Sequence, residues 1–116
     1  MKDMHELGLT KELVDLVTAK AAEAGAQRVV SVSLAIGAMS GVEADAVSFC
    51  FEVVAKDTIA EGARLEIERI PLTLACRACG VTAPVDDVFT VCAKCGSTEV
   101  SIIAGHEFTV RSMEVD

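Results

Sequence analysis

Apolar residues recur at two periods along this chain, and the switches between them outline its elements. From Leu7 to Ala24 the period is helical: Leu9, Leu13, Val17 and Ala21 share a face that Val14 and Leu16 widen. Lys11, Glu12, Asp15 and Lys20 cover much of the other side; Thr10 is a candidate cap, although the apolar pattern begins before it. Gly25 is a suitable stop, able to take the left-handed conformation after the last turn. Over Arg28 to Ile36 the period drops to two, with Val30, Val32, Leu34 and Ile36 on one side and Val29, Ser31, Ser33 and Ala35 on the other. After a turn at Gly37 to Gly41, Ser40 and Glu43 match a capping box. It opens a second helix over about 42–55, whose inner stripe is Val47, Cys50, Phe51 and Val54. Ala63 to Leu74 alternates again: Ala63, Leu65 and Ile67 lie opposite Arg64, Glu66 and Glu68. Pro71 suits the point where this strand leaves the main sheet. Phe108 to Val115 is the last strand, with Phe108 and Val110 on one face and Met113 and Val115 on the other. Its phase slips near Ser112, which predicts a bulge.

Between Pro71 and Gly105 the pattern gives way to cysteines. Cys76-Arg77-Ala78-Cys79-Gly80 and Cys92-Ala93-Lys94-Cys95-Gly96 are two Cys-x-x-Cys-Gly turns about a dozen residues apart, a metal-site spacing. A two-residue gap aims both sulfurs of a pair at one point, and the following Gly permits a tight turn. Two facing turns then supply four thiolates in a tetrahedron, the geometry of a closed structural Zn²⁺ site on Cys76, Cys79, Cys92 and Cys95. Iron in a rubredoxin-like site uses the same ligands but usually sits among aromatic residues; only Phe89 is near. Two disulfides fit less well, because adjacent Cys-x-x-Cys pairs are ligand-like, and a redox motif needs one pair only. The segment has few apolar residues (Val81, Val85, Val88, Phe89, Val91), so its ion is expected to supply folding energy. The predicted architecture is therefore α+β: two helices packed on a mixed or antiparallel three-stranded sheet, with an inserted zinc-ribbon-like lobe. Residues 1–70 with 105–116 form the α+β domain and 71–104 the lobe.

Composition narrows the function. With 52% hydrophobic residues, 3% aromatic and no Trp or Tyr, the core is aliphatic. A net charge of −8 argues against nucleic acid, which is bound through Lys and Arg clusters. Near the cysteines, Arg77 and Lys94 are balanced by Asp86 and Asp87, themselves read as turn residues. No signal peptide or membrane-spanning run is apparent, and thiolate ligands need reducing surroundings, so the cytoplasm is the expected location. Cys50 reads as a small buried hydrophobe. His106 reads as an ordinary exposed or hydrogen-bonded histidine. No carboxylate pair, Ser-His-Asp set or phosphate-cradling Gly loop supports catalysis, so a non-enzyme is expected.

Met4-His5-Glu6 would mean little alone, since a histidine near a terminus is ordinarily just solvated. Its setting gives it weight. Met-His-Glu-Leu leads into a helix and a strand ending Ile36-Gly37; a second helix, Glu61-Gly62-Ala63, the two Cys-x-x-Cys turns and Ser112-Met113-Glu114-Val115 follow. This order, over nearly the whole chain, resembles the hydrogenase maturation nickel metallochaperone family of the HypA/HybF type. The resemblance implies a Ni²⁺ site at Met4, His5 and Glu6, and structural Zn²⁺ on the four cysteines. It implies delivery of nickel, as transiently bound cargo, to a [NiFe]-hydrogenase large subunit precursor, together with a GTPase accessory protein of the HypB type. Neither a nucleic-acid nor a membrane partner is expected, given the acidic charge and the lack of a membrane-spanning run. In the family the Met of Met-His-Glu is the first residue and its free amine is a ligand; here Met1-Lys2-Asp3 precede it. If those residues are retained, Met4 has no free amine and binding should weaken at neutral pH; a start at Met4 restores the pattern. The reading from another class is a zinc-ribbon protein-interaction or nucleic-acid-binding module without a nickel role. A rubredoxin-like electron carrier is a third.

Overall fold

The computed structural model describes residues 2–84, 91–92 and 94–116, with the backbone alone for residues 2–5. Val85, Asp86, Asp87, Val88 and Phe89 lie outside the described residues, as do the side chains of Met4 and His5. In chain order the elements are α1 (Lys2–Glu23), β1 (Val29–Gly37), α2 (Ala44–Val54), β2 (Arg64–Ile70), β3 (Thr73–Cys76), β4 (Thr82–Pro84), β5 (Val100–Ala104) and β6 (Phe108–Val115). The strands form two three-stranded sheets, ordered β2-β1-β6 and β4-β3-β5. The first is mixed: β1 runs parallel to β2 and antiparallel to β6. A parallel pair needs a crossover, and α2 is that connection. Two helices on a three-stranded sheet, with a cysteine-bearing insertion, is the predicted architecture.

The helices cover one face of the first sheet. Leu13, Val14, Val17 and Ala21 of α1 and Val47 and Phe51 of α2 pack with Val29, Val32, Leu34 and Ile36 of β1. Leu65, Ile67, Phe108, Val110 and Met113 close the sides. As the composition required, Phe51 and Phe108 are the only aromatic residues among the described ones in this cluster. The opposite face is polar and carries the ion pairs Arg64–Glu66 and Arg111–Glu68.

Four expectations about local detail need correction. Helix α1 begins at Lys2, well ahead of Leu7, so Thr10 is no cap; its hydroxyl donates to the Glu6 carbonyl at 2.6 Å within the helix. Its buried stripe is Glu6, Thr10, Leu13, Val14, Val17 and Ala21, and Leu16 is half exposed. At roughly 100° per residue, Leu16 falls more than a quarter-turn off that stripe. Second, the capping box does not form. Glu43 is the N-cap of α2 but makes no side-chain cap bond, and the Ser40 hydroxyl accepts from the Val42 N–H instead. Third, the sides of β1 exchange at its start: Val29 is fully buried and Val30 is 40% exposed. The pairing with β6 steps from Val29 to Ser31 there, so Val30 is a bulge residue that resets the alternation. Fourth, the predicted slip near Ser112 is present, between the pairs Ser33–Ser112 and Leu34–Val110. It returns Met113 to the core beside Phe108 and Val110 rather than sending it to the other face.

The two sheets meet at a backbone seam. Gly37 donates to the Glu107 carbonyl, Ala38 to Ile70, and Met39 to Gly105. A Cβ on Gly37 would overlap the Gly105 carbonyl, so only glycine allows this approach. We expect Gly37→Ala to cost about 3 kcal/mol or more, because backbone must move. Gly41→Ala, at φ +77° with open space around it, should cost only about 1–2 kcal/mol. Urea unfolding of the metal-loaded variants measures both; equal losses would dismiss the seam as a constraint.

Candidate metal centre

Both cysteine pairs fold as the same tight turn. In the first, the Gly80 N–H donates to the Cys76 carbonyl and the Cys76 N–H to Val81. In the second, the Gly96 N–H donates to the Cys92 carbonyl and the Cys92 N–H to Ser97. Gly80 and Gly96 have φ of +77° and +74°, the left-handed region that makes glycine the natural residue after each second cysteine. Strand β3 delivers Cys76 at its end, and pairing with β4 and β5 on either side fixes its direction.

The turns face each other so that the four sulfurs lie within 4.8 Å of one another. Cys76 Sγ and Cys95 Sγ are 3.7 Å apart, as are Cys79 Sγ and Cys92 Sγ. A tetrahedron with metal–sulfur arms of about 2.3 Å has edges of about 3.8 Å, so the spacing fits a tetrathiolate ion. All four donors are soft, and none is a carboxylate or water-facing hydroxyl. Cys76 and Cys92 are buried, while Cys79 and Cys95 are exposed. Leu74, Val81, Ala83 and Val100 supply an apolar backing with a cavity of about 80 Å³.

The backbone prepares the sulfurs for ionisation unequally. Hydrogen bonds from the backbone of Cys95 and Lys94 bring the Cys92 thiol down to about 6 against the opposing effect of burial. At Cys95 the hydrogen bond from the Ser97 backbone pulls the same way, but partial desolvation among the crowded sulfurs and the neighbouring thiols of Cys76, Cys92 and Cys79 outweigh it, and the thiol stands at about 12. One thiolate forms readily and the last is resisted, as expected where charges accumulate without a cation. In the ion-free cage, the depressed Cys92 contributes stability that is present above its ordinary value of 9.0 and lost as pH falls through about 6. The raised Cys95 acts oppositely, from 9.0 up to about 12.

Helix α1 carries the Met4-His5-Glu6 stretch in its first turns. Of these three, the side chain described is that of Glu6, and it is 0% exposed. Its Oε2 accepts the Glu43 N–H at 3.1 Å. This stretch and the cysteine cage belong to different parts of the fold; the structure assembles the cage and places Glu6 against the start of α2. The burial of Glu6 was missed from sequence, although a signal existed. Glu6 and Thr10 continue the spacing of Leu13, Val14, Val17 and Ala21 toward the amino terminus, as polar residues on an apolar stripe. His106 is exposed and Cys50 is buried, as read.

An α+β unit bearing a paired-turn cage of four sulfurs defines a small metal-binding protein. The chain belongs to the family described as hydrogenase/urease nickel incorporation, metallochaperone, hypA, which matches residues 4–115. The hydrogenase maturation factor HypA of Dehalococcoides mccartyi is 47% identical over 113 residues, covering 97% of this chain and 95% of the relative. That of Geobacter metallireducens is 42% identical over 97% of this chain and the relative's full length. Among solved structures, the Ni metallochaperone HypA from Helicobacter pylori superposes with a TM-score of 0.67 at 25% identity, over 95% of this chain and 96% of that one. A solution structure of a HypA protein reaches 0.73 at 27% identity, over 97% and 96%. Residues 1–3 lie ahead of the family match. Among the described residues, no helix is long and apolar enough to cross a membrane.

Because thiolates bind the ion and protons compete for them, acid should release it. We expect the cage to hold its metal at pH 7.5 and to release it progressively on acidification, as protons displace the ion from the four sulfurs. Titration with a chromophoric metal indicator follows the release, and a pH-independent metal content down to pH 4 would count against thiolate ligation.

Proposed function

We propose that this protein is a nickel metallochaperone with a structural zinc ion. Zn²⁺ sits on Cys76, Cys79, Cys92 and Cys95; Ni²⁺ is carried at Met4, His5 and Glu6. Residues 1–70 with 105–116 then form the nickel-binding unit, and 71–104 the zinc lobe. The recipient is a [NiFe]-hydrogenase large subunit precursor, reached with a HypB-type GTPase. The observation that carries this reading is the family match, which begins at Met4 and runs to residue 115. The four-sulfur geometry supports it, because a site with four protein ligands has no open position for substrate and suits an ion that stays. The family role is that of a carrier rather than a catalyst.

Nickel handling follows from ligand chemistry. Ni²⁺ favours square-planar or tetragonal nitrogen sets. A terminal amine, the next amide nitrogens and the His5 imidazole form fused chelate rings around the ion. The helix makes the three leading residues matter. With α1 starting at Lys2, the amides of His5 and Glu6 already lie inside the helix. In a chain beginning at Met4 they belong to the first turn, whose N–H groups have no partner in the helix. Such a tip offers its nitrogens without melting a turn, and it can surrender the ion one ligand at a time.

Calorimetric Ni²⁺ titration tests this. The form beginning at Met4 should bind at least about tenfold more tightly than the form beginning at Met1, a difference of about 1.4 kcal/mol. His5→Ala should abolish nickel binding in both while zinc content and fold stay unchanged. Absence of nickel binding in every form would leave only a zinc-ribbon module. Separately, Cys92→Ser should lose the zinc and with it the order of the second sheet, because structural zinc can supply about 10–16 kcal/mol of apparent binding energy. Unchanged zinc content and an unchanged melting profile would remove its structural role.

A further inference from the structure

Glu6 is a charged residue in a place that charged residues rarely occupy. Its side chain is 0% exposed, and a carboxylate is seldom fully buried without a partner. Oε2 has one, the Glu43 N–H at 3.1 Å. Oε1 is shut off from solvent and accepts no hydrogen bond among the described residues. A buried acceptor kept without a donor calls for a reason.

The partner supplies it. Glu43 is the N-cap of α2. In a capping box, the residue three positions into the helix reaches back to the N–H of the N-cap. That position in α2 is Ala46, which has no acceptor. Glu6 provides from α1 the oxygen that α2 lacks, and its negative charge meets the positive end of the α2 dipole. Thr10, one turn on, is fully buried and bonds back to the Glu6 carbonyl, so the turn carrying Glu6 is held along its length.

We propose that the Glu6 carboxylate is a positioning group rather than a nickel ligand: it clips the first turns of α1 to the start of α2 and so fixes where Met4 and His5 present their nitrogens. The nickel part rests on the function proposed above; the clip stands without it. Geometry separates the two roles. A ligand to an ion that is handed on must be reachable by the recipient, and a carboxylate with no exposed surface is not. To reach an ion outside, Glu6 would have to leave the stripe it shares with Thr10, Leu13 and Val14 and abandon the Glu43 N–H.

The test uses the full zinc-loaded chain beginning at Met4, with Glu6→Gln and Glu6→Ala. Glutamine keeps an oxygen for Glu43; alanine does not. Without nickel, amide exchange by NMR reads the clip. Glu43 should stay within about threefold of its original protection in Glu6→Gln and lose at least about tenfold in Glu6→Ala. With Ni²⁺ alone as probe, Glu6→Gln should bind within about threefold of the parent and Glu6→Ala at least about tenfold more weakly. The absorption spectrum of the saturated nickel complex should be the same in all three, since the ligand set does not change. A shifted spectrum, or a glutamine variant as defective in nickel binding as alanine, makes the carboxylate a ligand and overturns the proposal. Unchanged Glu43 exchange or unchanged nickel affinity in Glu6→Ala overturns it as well. Should alanine not fold, the glutamine spectrum and affinity decide alone. A parent chain that binds no nickel would sink the preceding function, while the exchange data would still judge the clip.

Discussion

Four thiols packed within 4.8 Å cannot all ionise unless a cation shares the space, and the second sheet is built on that condition. Its three strands are short, and its described buried apolar side chains are few: Leu72 and Leu74 beside Cys76 and Cys92. So small a core offsets little of the entropy of ordering a segment of this length. Charge compensation at the cage therefore does for this sheet what aliphatic packing does for the first. The backbone turns that aim the sulfurs also place N–H dipoles on them, which is why one cysteine is drawn far down before any ion arrives.

The first sheet follows a different economy. Its central strand, β1, is buried on both sides for most of its length and takes hydrogen bonds from a parallel and an antiparallel neighbour. Helices α1 and α2 lie side by side on one face, and polar side chains cover the other. The start of α1 lies against the start of α2, where Glu6 accepts the Glu43 N–H. The cysteine cage and the start of α1 thus have separate physical bases. Four sulfurs enclose their ion with no vacant position, whereas the first turns of α1 are held from behind by a buried carboxylate.

How much of this was legible in the sequence depends on how local each feature is. The cysteine turns were legible because two residues of spacing and one glycine determine where the sulfurs point, whatever the rest of the chain does. The helices and the strands of the first sheet were legible because their apolar periods persist over several turns or pairs. What escaped reading depends on a distant partner. Val30 turns outward because β6 pairs unevenly with β1, and no window around Val30 contains that information. The capping box of Ser40 and Glu43 was the right residue pattern, but a carboxylate from α1 already occupies the N–H that it would have used. Val85 to Phe89, expected to help the lobe cohere, lie outside the described residues.

The seam at Gly37 has a consequence for assembly. Ala38 and Met39, neighbours in the chain, bond to Ile70 and Gly105, the residues flanking the second sheet on departure and return. Its two ends therefore lie side by side. Strand β6 is made last, yet it must insert beside β1, pairing Val115 with Val29. Closing so long a loop is entropically unfavourable in proportion to the logarithm of its free length. A compact, ion-bound insert with adjacent ends shortens that loop in effect. During vectorial synthesis, early capture of the ion would lower the closure penalty for the final strand, so that metal supply to the insert would help to set the rate at which the first sheet is completed.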